Sequence, residues 1–156
     1  MVRPETLSQA QLSPEWRALL DAAAATRRRA YAPYSSFAVG AAVRAASGNL
    51  YTGCNVENAS IGLTACAERV AIWKAIAAGE RAFEALAVIS ASGATPCGAC
   101  RQVLIEFAAE LPILVADTAG HAWLTDLQTL LPDAFPHVLY GDDDEWRADD
   151  RSRSQR

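Results

Sequence analysis

The chain has 156 residues, of which 51% are hydrophobic, and a formal net charge of −4 at pH 7. A chain of this size can bury one sizeable core, so we expect a single domain over residues 1–140 and a charged, mobile tail over 141–156. The acidic balance argues against a nucleic-acid binder, and no apolar run is long enough to span a membrane. The N-terminus lacks the apolar region of a signal peptide, and four cysteines without an export signal indicate a reducing compartment, so we expect a cytoplasmic protein.

The first predicted helix begins at Ser13 and Pro14, which suit the cap and the first helical position, and runs to about Tyr31. The arginines at 27–29 lie near its negative end, and a solvated, dipole-compensating face is favoured over RNA contact. Alternating small and apolar residues then predict a hairpin of strands 37–44 and 49–56.

Helices and strands alternate in the rest of the chain. A helix over 66–78 is capped by Thr64, a buried strand covers 86–89, a helix begins at Pro96, and a strand covers 113–116. A turn at 117–120 and a capping box at 125–128 lead into a short last helix. This order predicts an α/β domain with a mixed β-sheet and helices packed on its faces.

Three cysteines and one glutamate form the candidate reactive centre. Cys97 and Cys100, three residues apart on a first helical turn, can reach one ion, and Cys66 joins them from another helix start. Three protein ligands leave the open fourth position of a catalytic zinc site. Glu68 can then pass a proton from a bound water to a substrate nitrogen. Arg69 can donate to thiolates whose charge, summed with Zn²⁺, is negative.

Other residues could change this interpretation. Cys54 is favoured as a small buried hydrophobe, but as a fourth ligand it would close the site and make it structural. His121 and His137 are further possible fourth ligands, although their placement has no metal spacing.

Four motifs resemble those of the small, homotetrameric cytidine deaminases over roughly residues 31–135: Y-A-P-Y-S-S-F at 31–37, N-V-E-N-A at 55–59, C-A-E-R at 66–69 and P-C-G-A-C-R-Q at 96–102. The resemblance implies a three-layer α/β/α fold with one Zn²⁺ per subunit, held by Cys66, Cys97 and Cys100. It also implies Glu68 as the proton shuttle while activated water attacks C4 of cytosine. The implied activity is hydrolysis of cytidine and 2′-deoxycytidine to uridine and 2′-deoxyuridine with release of ammonia, in pyrimidine salvage.

The same resemblance implies the substrate contacts. Phe37 would pack against the pyrimidine, Asn55 and Glu57 would hydrogen-bond the ribose, and Ala67 would line the substrate site. Phe135 would reach the site of a neighbouring subunit, which implies a homotetramer.

The sequence also departs from the family and leaves alternatives open. Ile61 occupies a position where many members have a tyrosine, and it cannot donate the hydrogen bond of a tyrosine. The alternative functions are deamination of a cytosine nucleoside antibiotic such as blasticidin S, or a non-enzymatic zinc-stapled module closed by Cys54. A redox use of Cys97 and Cys100 would leave Cys66 and Glu68 unexplained, and editing of nucleic acid lacks a basic groove.

Overall fold

The computed structural model describes residues 6–135, so the predicted tail at 141–156 and His137 lie outside it. The strands of this part are Leu7–Ser8 (β1), Val39–Ala45 (β2), Leu50–Cys54 (β3), Phe83–Ser90 (β4), Pro112–Asp117 (β5) and His121–Asp126 (β6). Its α-helices are Pro14–Arg27 (α1), Ala67–Ala77 (α2), Gly98–Ile105 (α3) and Leu127–Leu130 (α4).

The strands form one mixed sheet in the order β1-β6-β5-β4-β2-β3. β4 and β5 are parallel, whereas every other neighbouring pair of strands is antiparallel. The parallel pair is joined through α3, and the antiparallel hairpin β2–β3 is joined to β4 through α2. Each helix that carries clustered cysteines therefore crosses between strands of the same sheet.

Helices cover both faces of this sheet. Helix α1 packs on one face through Leu19, Leu20 and Ala23. Helices α2 and α3 pack on the other face, and their buried side chains meet sheet residues such as Val43 and Val88. This arrangement confirms the predicted three-layer α/β/α architecture. Among residues 6–135, no helix combines the length and apolar character needed to cross a bilayer.

Two glycines allow the helices to approach the β2–β3 hairpin closely. A Cβ at Gly53 of β3 would lie 2.3 Å from the carbonyl oxygen of Ala67, at the beginning of α2. A Cβ at Gly40 of β2 would lie 2.1 Å from the carbonyl oxygen of Ala23 in α1. Because both distances are far below van der Waals contact, neither position accepts a larger residue without backbone movement. Gly53 thereby allows the first turns of α2 to lie directly against β3.

The end of α1 differs from the prediction. The helix ends at Arg27, four residues before the expected end near Tyr31. The Tyr31 N–H donates to the Asn55 carbonyl, and the Glu57 N–H donates to the Tyr31 carbonyl. Since these bonds are of the bridge type between extended segments, the tertiary pairing of Tyr31 ends the helix before the local sequence signal does.

Other differences concern strands and caps. Strands β1 and β6 were not predicted, and α4 is capped by Asp126, which accepts from the Thr129 N–H, rather than by Thr125. The cap of α2 is Cys66 and not Thr64. Helix α3 begins at Gly98, two residues beyond the predicted start at Pro96, with Cys97 as its cap.

Candidate active site

Three thiols meet where α2 and α3 begin. Cys66 is the N-terminal cap residue of α2, Cys97 is the cap residue of α3, and Cys100 lies in the first turn of α3. The Sγ atoms of Cys66 and Cys97 are 3.9 Å apart, and those of Cys97 and Cys100 are 3.5 Å apart. All three sulfur atoms lie within 4.8 Å of one another, so they can hold one metal ion.

The spacing of these sulfur atoms fits zinc. Tetrahedral coordination with Zn–S bonds of about 2.3 Å separates the sulfur atoms by about 3.8 Å. The separations of 3.5 and 3.9 Å lie on either side of this value. The cysteines also point from two helix N-termini, whose partial positive charge favours thiolates. Contact with Cys100, with a further contribution from Arg69, lowers the pKa of the Cys66 thiol to about 5.

Arg69 extends from α2 to the same sulfur cluster. Its Nη2 donates to the Thr64 carbonyl at 2.7 Å and to Cys66 Sγ at 3.6 Å. The guanidinium carbon also lies 5.6 Å from the centroid of the Trp73 ring, within the range of a cation–π contact. These contacts hold the positive charge of Arg69 beside the Sγ atom of Cys66.

Glu68 follows Cys66 by two residues and is 5% exposed. Burial raises the pKa of its carboxyl to about 7, because an ionised carboxylate is poorly solvated there. Hydrogen bonds from its own backbone N–H and from Cys100 oppose this rise, because they stabilise the ionised carboxylate. A buried acid of this kind beside a cysteine cluster is suited to proton transfer.

Asn55 supports the loop that carries Phe37. The Asn55 side chain, which is 8% exposed as a residue, donates from Nδ2 to the Phe37 carbonyl at 2.8 Å and accepts from the Val39 N–H at Oδ1, also at 2.8 Å. One side-chain amide thus satisfies backbone groups on both sides of Ala38. The predicted ribose contact Asn55 and the predicted base contact Phe37 are therefore linked directly.

Glu57 holds the other end of the same loop. Its Oε2 accepts from the Tyr34 N–H at 2.8 Å and the Ser35 N–H at 3.3 Å, and its Oε1 accepts from the Ser35 hydroxyl. The Ser35 hydrogen bond is the main cause that keeps the pKa of Glu57 below its ordinary value. The next residue, Ser36, has φ of 56°, a left-handed conformation uncommon for residues other than glycine. The carboxylate therefore stabilises a constrained turn immediately before Phe37.

The comparisons with known proteins agree with this geometry. Residues 14–115 match the family model described as the cytidine and deoxycytidylate deaminase zinc-binding region. A cytidine deaminase from Sporosarcina psychrophila is 46% identical over 112 residues, covering 70% of this chain and 82% of the relative. The chain belongs to the cytidine and deoxycytidylate deaminase family.

Solved structures of cytidine deaminases share the fold. The structure from Burkholderia pseudomallei is 47% identical and superposes with a TM-score of 0.75, covering 80% of this chain and all of the other. The structure from Mycobacterium tuberculosis is 41% identical, with a TM-score of 0.69 and coverage of 80% and 99%. The similarity to the family therefore extends through most of the described residues.

Two of the possible fourth ligands, Cys54 and His121, are not part of the thiol cluster. Among the described residues, the group of ligand atoms within 4.8 Å of one another contains neither Cys54 nor His121. Cys54 is partly buried at the end of β3 and pairs with Gly40. His121 is exposed, and its Nδ1 lies 2.8 Å from Asp117 Oδ2. Within the described residues, the cluster thus offers three sulfur ligand atoms to a metal ion.

Of the other residues singled out from the sequence, all but Ala67 are at least one-third exposed to solvent. Ala67 is fully buried at the beginning of α2, whereas Ile61 is 81% and Phe135 is 66% exposed. Phe37 is 36% exposed at the loop described above. Sequence reasoning missed Ser35 as the partner of Glu57, although Ser35 lies within the Y-A-P-Y-S-S-F motif that carried the resemblance.

Proposed function

We propose that this protein is a zinc-dependent hydrolase that converts cytidine and 2′-deoxycytidine to uridine and 2′-deoxyuridine and releases ammonia. The observation that carries the proposal is the buried Glu68 carboxyl beside a cluster of three thiols, in a chain of the cytidine deaminase family. A cysteine cluster that only stabilises a fold does not require a buried acid beside it.

In this proposal Cys66, Cys97 and Cys100 hold one zinc ion per subunit. With its fourth position open, bound zinc supplies Lewis acidity that lowers the pKa of water from about 15.7 toward about 7. Arg69 offsets part of the negative charge of the three thiolates through its contact of 3.6 Å with Cys66 Sγ. The helix N-termini at Cys66 and Cys97 act in the same direction.

Glu68 moves the protons of the reaction. Its carboxylate accepts one proton from the water that attacks C4 of the pyrimidine and passes it to the ring nitrogen N3; it then accepts the proton of the new C4 hydroxyl and passes it to the exocyclic nitrogen. The C4–N bond then breaks with ammonia as the leaving group, and the oxygen of water remains on C4. Burial of Glu68 suits both steps, because a carboxyl with a pKa near neutrality can accept and donate protons.

The loop before β2 and the loop after β3 form the proposed nucleoside site, with Ala67 lining it at the start of α2. The Phe37 ring supplies an apolar face for the base. Asn55 and Glu57 use only part of their hydrogen-bonding capacity on the loop, since Asn55 Nδ2 retains a second hydrogen and Glu57 Oε1, which accepts one hydrogen bond, retains a lone pair. This remaining capacity suits the hydroxyl groups of a ribose or deoxyribose.

We further propose a homotetramer that acts in pyrimidine salvage in the cytoplasm. Several large apolar side chains are exposed in the single chain, which supports association through them: Tyr34 at 61%, Ile61 at 81%, Leu63 at 71% and Phe135 at 66%. In such an assembly Phe135 completes the substrate site of a neighbouring subunit. Light scattering is expected to give a mass four times the 16.6 kDa of one chain.

Hybrid assemblies test whether two chains share a site. A mixture of Glu68→Ala and Phe135→Ala chains contains sites in which Glu68 comes from one chain and Phe135 from another. Such sites are expected to restore turnover at low cytidine concentration, which neither variant shows alone. The mixture is compared with Phe135→Ala protein alone, at the same concentration of chains that retain Glu68. Equal activity of the two samples would contradict a shared site.

The activity itself is tested by supplying zinc-loaded protein with cytidine, 2′-deoxycytidine or blasticidin S. Ammonia and the uridine product are expected in equal amounts from the first two substrates. Turnover of blasticidin S with no turnover of cytidine would instead favour an antibiotic deaminase. Stable zinc binding without turnover of any of the three would favour a zinc-stapled interaction module.

A further inference from the structure

The segment 130–135 is fastened to α3 at both of its ends by two adjacent side chains. Arg101 donates from Nη1 to the Leu130 carbonyl at 2.7 Å. Gln102 donates from Nε2 to the Phe135 carbonyl at 3.0 Å, and its Oε1 accepts from the Phe135 N–H at 3.3 Å. Arg101 and Gln102 directly follow Cys100, so the segment takes its position from the helix that carries two of the clustered thiols.

Gln102 binds Phe135 as a neighbouring strand would. One side-chain amide gives both the N–H and the carbonyl of Phe135 a hydrogen-bond partner. The Phe135 residue is nevertheless 66% exposed, so its ring is not fixed by burial in the core. The backbone hydrogen bonds to Gln102 therefore set the place of this exposed aromatic ring.

Gln102 holds the Phe135 backbone on the side of α3 that faces away from the thiol cluster of the same chain. An α-helix turns by about 100° per residue, so Gln102 lies about 200° around α3 from Cys100. Because Cys100 is fully buried against the core, Gln102 and the Phe135 backbone lie toward the outside of the subunit. An aromatic ring presented in this direction is available to a second copy of the chain.

We propose that Gln102 is a positioning residue that holds the Phe135 ring in place for the nucleoside site of a second copy of this chain. The inference rests on the proposed function and adds to it the residue that determines how well the shared site binds the nucleoside. Arg101 has a wider structural role, because it also donates to the Pro96 carbonyl at 2.7 Å and to Thr95 Oγ1 at 3.1 Å. Gln102 is therefore the residue on which the inference can be tested.

Gln102→Met removes both hydrogen bonds and retains a side chain of similar length. In zinc-loaded protein we expect KM for cytidine to rise by about 3–10-fold, the effect of losing one or two exposed hydrogen bonds, with kcat and zinc content within about twofold. Gln128→Met is the matched control, because Gln128 is exposed on α4 and has no hydrogen bond among the described residues. Gln102→Glu retains the acceptor for the Phe135 N–H, so it is expected to give a smaller rise in KM.

A double-mutant cycle separates positioning from general weakening of the fold. If Gln102 acts through the ring, Gln102→Met adds no further rise in KM when Phe135 is already replaced by alanine. Hydrogen exchange supplies a readout that does not depend on activity: exchange in the peptide containing Phe135 should accelerate by about 3–10-fold in Gln102→Met and stay unchanged in Gln128→Met.

Unchanged exchange at Phe135, an unchanged KM in Gln102→Met, or an equal rise in KM with and without the Phe135 ring would each overturn the inference. Wild-type protein that binds zinc and deaminates no nucleoside would instead refute the proposed function, whatever the exchange experiment gives.

Discussion

The Asn55 side chain donates from Nδ2 to the Phe37 carbonyl at 2.8 Å, so a proposed sugar contact also supports the proposed base contact. With Val39, this amide joins the start of β2 to the end of β3. An asparagine in this position has two roles, because it both shapes the loop and retains hydrogen-bonding capacity for a ligand.

Asn55→Ala is therefore expected to weaken folding as well as binding. The substitution leaves the Phe37 carbonyl and the Val39 N–H without their partner, which should lower the free energy of unfolding by about 1–3 kcal/mol. Urea denaturation of the zinc-loaded protein measures this loss. Asn49→Ala is the matched control, because Asn49 is exposed in the β2–β3 turn and its side chain donates to the partly exposed Glu80 at 3.0 Å. A loss in Asn55→Ala no greater than in Asn49→Ala would show that the amide does not support the loop.

The Ser35 hydroxyl is expected to control the ionisation of Glu57. Since its hydrogen bond is the main cause that lowers the pKa of Glu57 below the ordinary value of 4.5, Ser35→Ala should move that pKa upward. A carboxyl with a lowered pKa in the folded state stabilises the fold above its unfolded pKa and loses that effect as pH falls through the folded pKa. The stability difference between wild type and Ser35→Ala should thus be full above about pH 4.5 and shrink below it.

Titration of the Glu57 carboxyl by NMR measures the change in its pKa. Denaturation at several pH values measures the stability difference between wild type and Ser35→Ala. Ser36→Ala is a suitable control, because Ser36 is not a hydrogen-bond partner of Glu57. Equal Glu57 midpoints in wild type and Ser35→Ala would contradict this account.

Arg69 is expected to contribute to catalysis without touching the substrate. Replacing it by glutamine removes the positive charge beside Cys66 Sγ and should lower zinc affinity or kcat by about 10–100-fold, as is typical for partners of metal ligands. Arg81→Gln is a charge-matched control, since Arg81 donates to the Ile76 and Glu80 carbonyls beyond the other end of α2. Similar zinc affinity and kcat in Arg69→Gln and Arg81→Gln would remove Arg69 from the proposed mechanism.

Cysteine substitutions distinguish an open metal site from a closed one. Cys97→Ala removes one sulfur of the cluster and is expected to lose bound zinc and activity together. Cys54→Ala should retain one zinc per subunit, because Cys54 is not part of that cluster. Zinc content by atomic absorption, measured beside activity, checks both variants. Loss of zinc from Cys54→Ala would support a four-cysteine structural site.

The helices and central strands were predictable from the sequence because local signals coincide with the tertiary structure. Ser13 accepts from the Trp16 N–H as the cap of α1, and Gly79 has φ of 98° directly after the end of α2. Strand β6 was missed because its burial does not alternate: Ala122 and Trp123 are adjacent and both buried. The sequence from Thr125 to Gln128 predicted Thr125 as the cap of α4, but the capping side chain is the next residue, Asp126.

The sequence allowed us to predict which cysteines form the thiol cluster, since two cysteines three residues apart on a helix lie on the same face. That α2 meets α3 at their N-termini depends on the order of strands in the sheet, which spacing along the chain cannot give. The contacts of Asn55 and, apart from the Ser35 hydroxyl, those of Glu57 were also hidden, because their partners are backbone groups of Tyr34, Ser35, Phe37 and Val39. A backbone partner leaves no residue type in the sequence to identify it.

The central claim is that Glu68 transfers protons at a zinc site formed by the three clustered thiols. The most direct measurement compares kcat for cytidine in wild type and Glu68→Gln, with zinc per subunit determined in the same samples. We expect both proteins to hold one zinc and kcat of the variant to fall by at least about 10²-fold, because the amide cannot act as a general base. A variant that holds zinc and deaminates cytidine at a rate within a few-fold of wild type would contradict the claim.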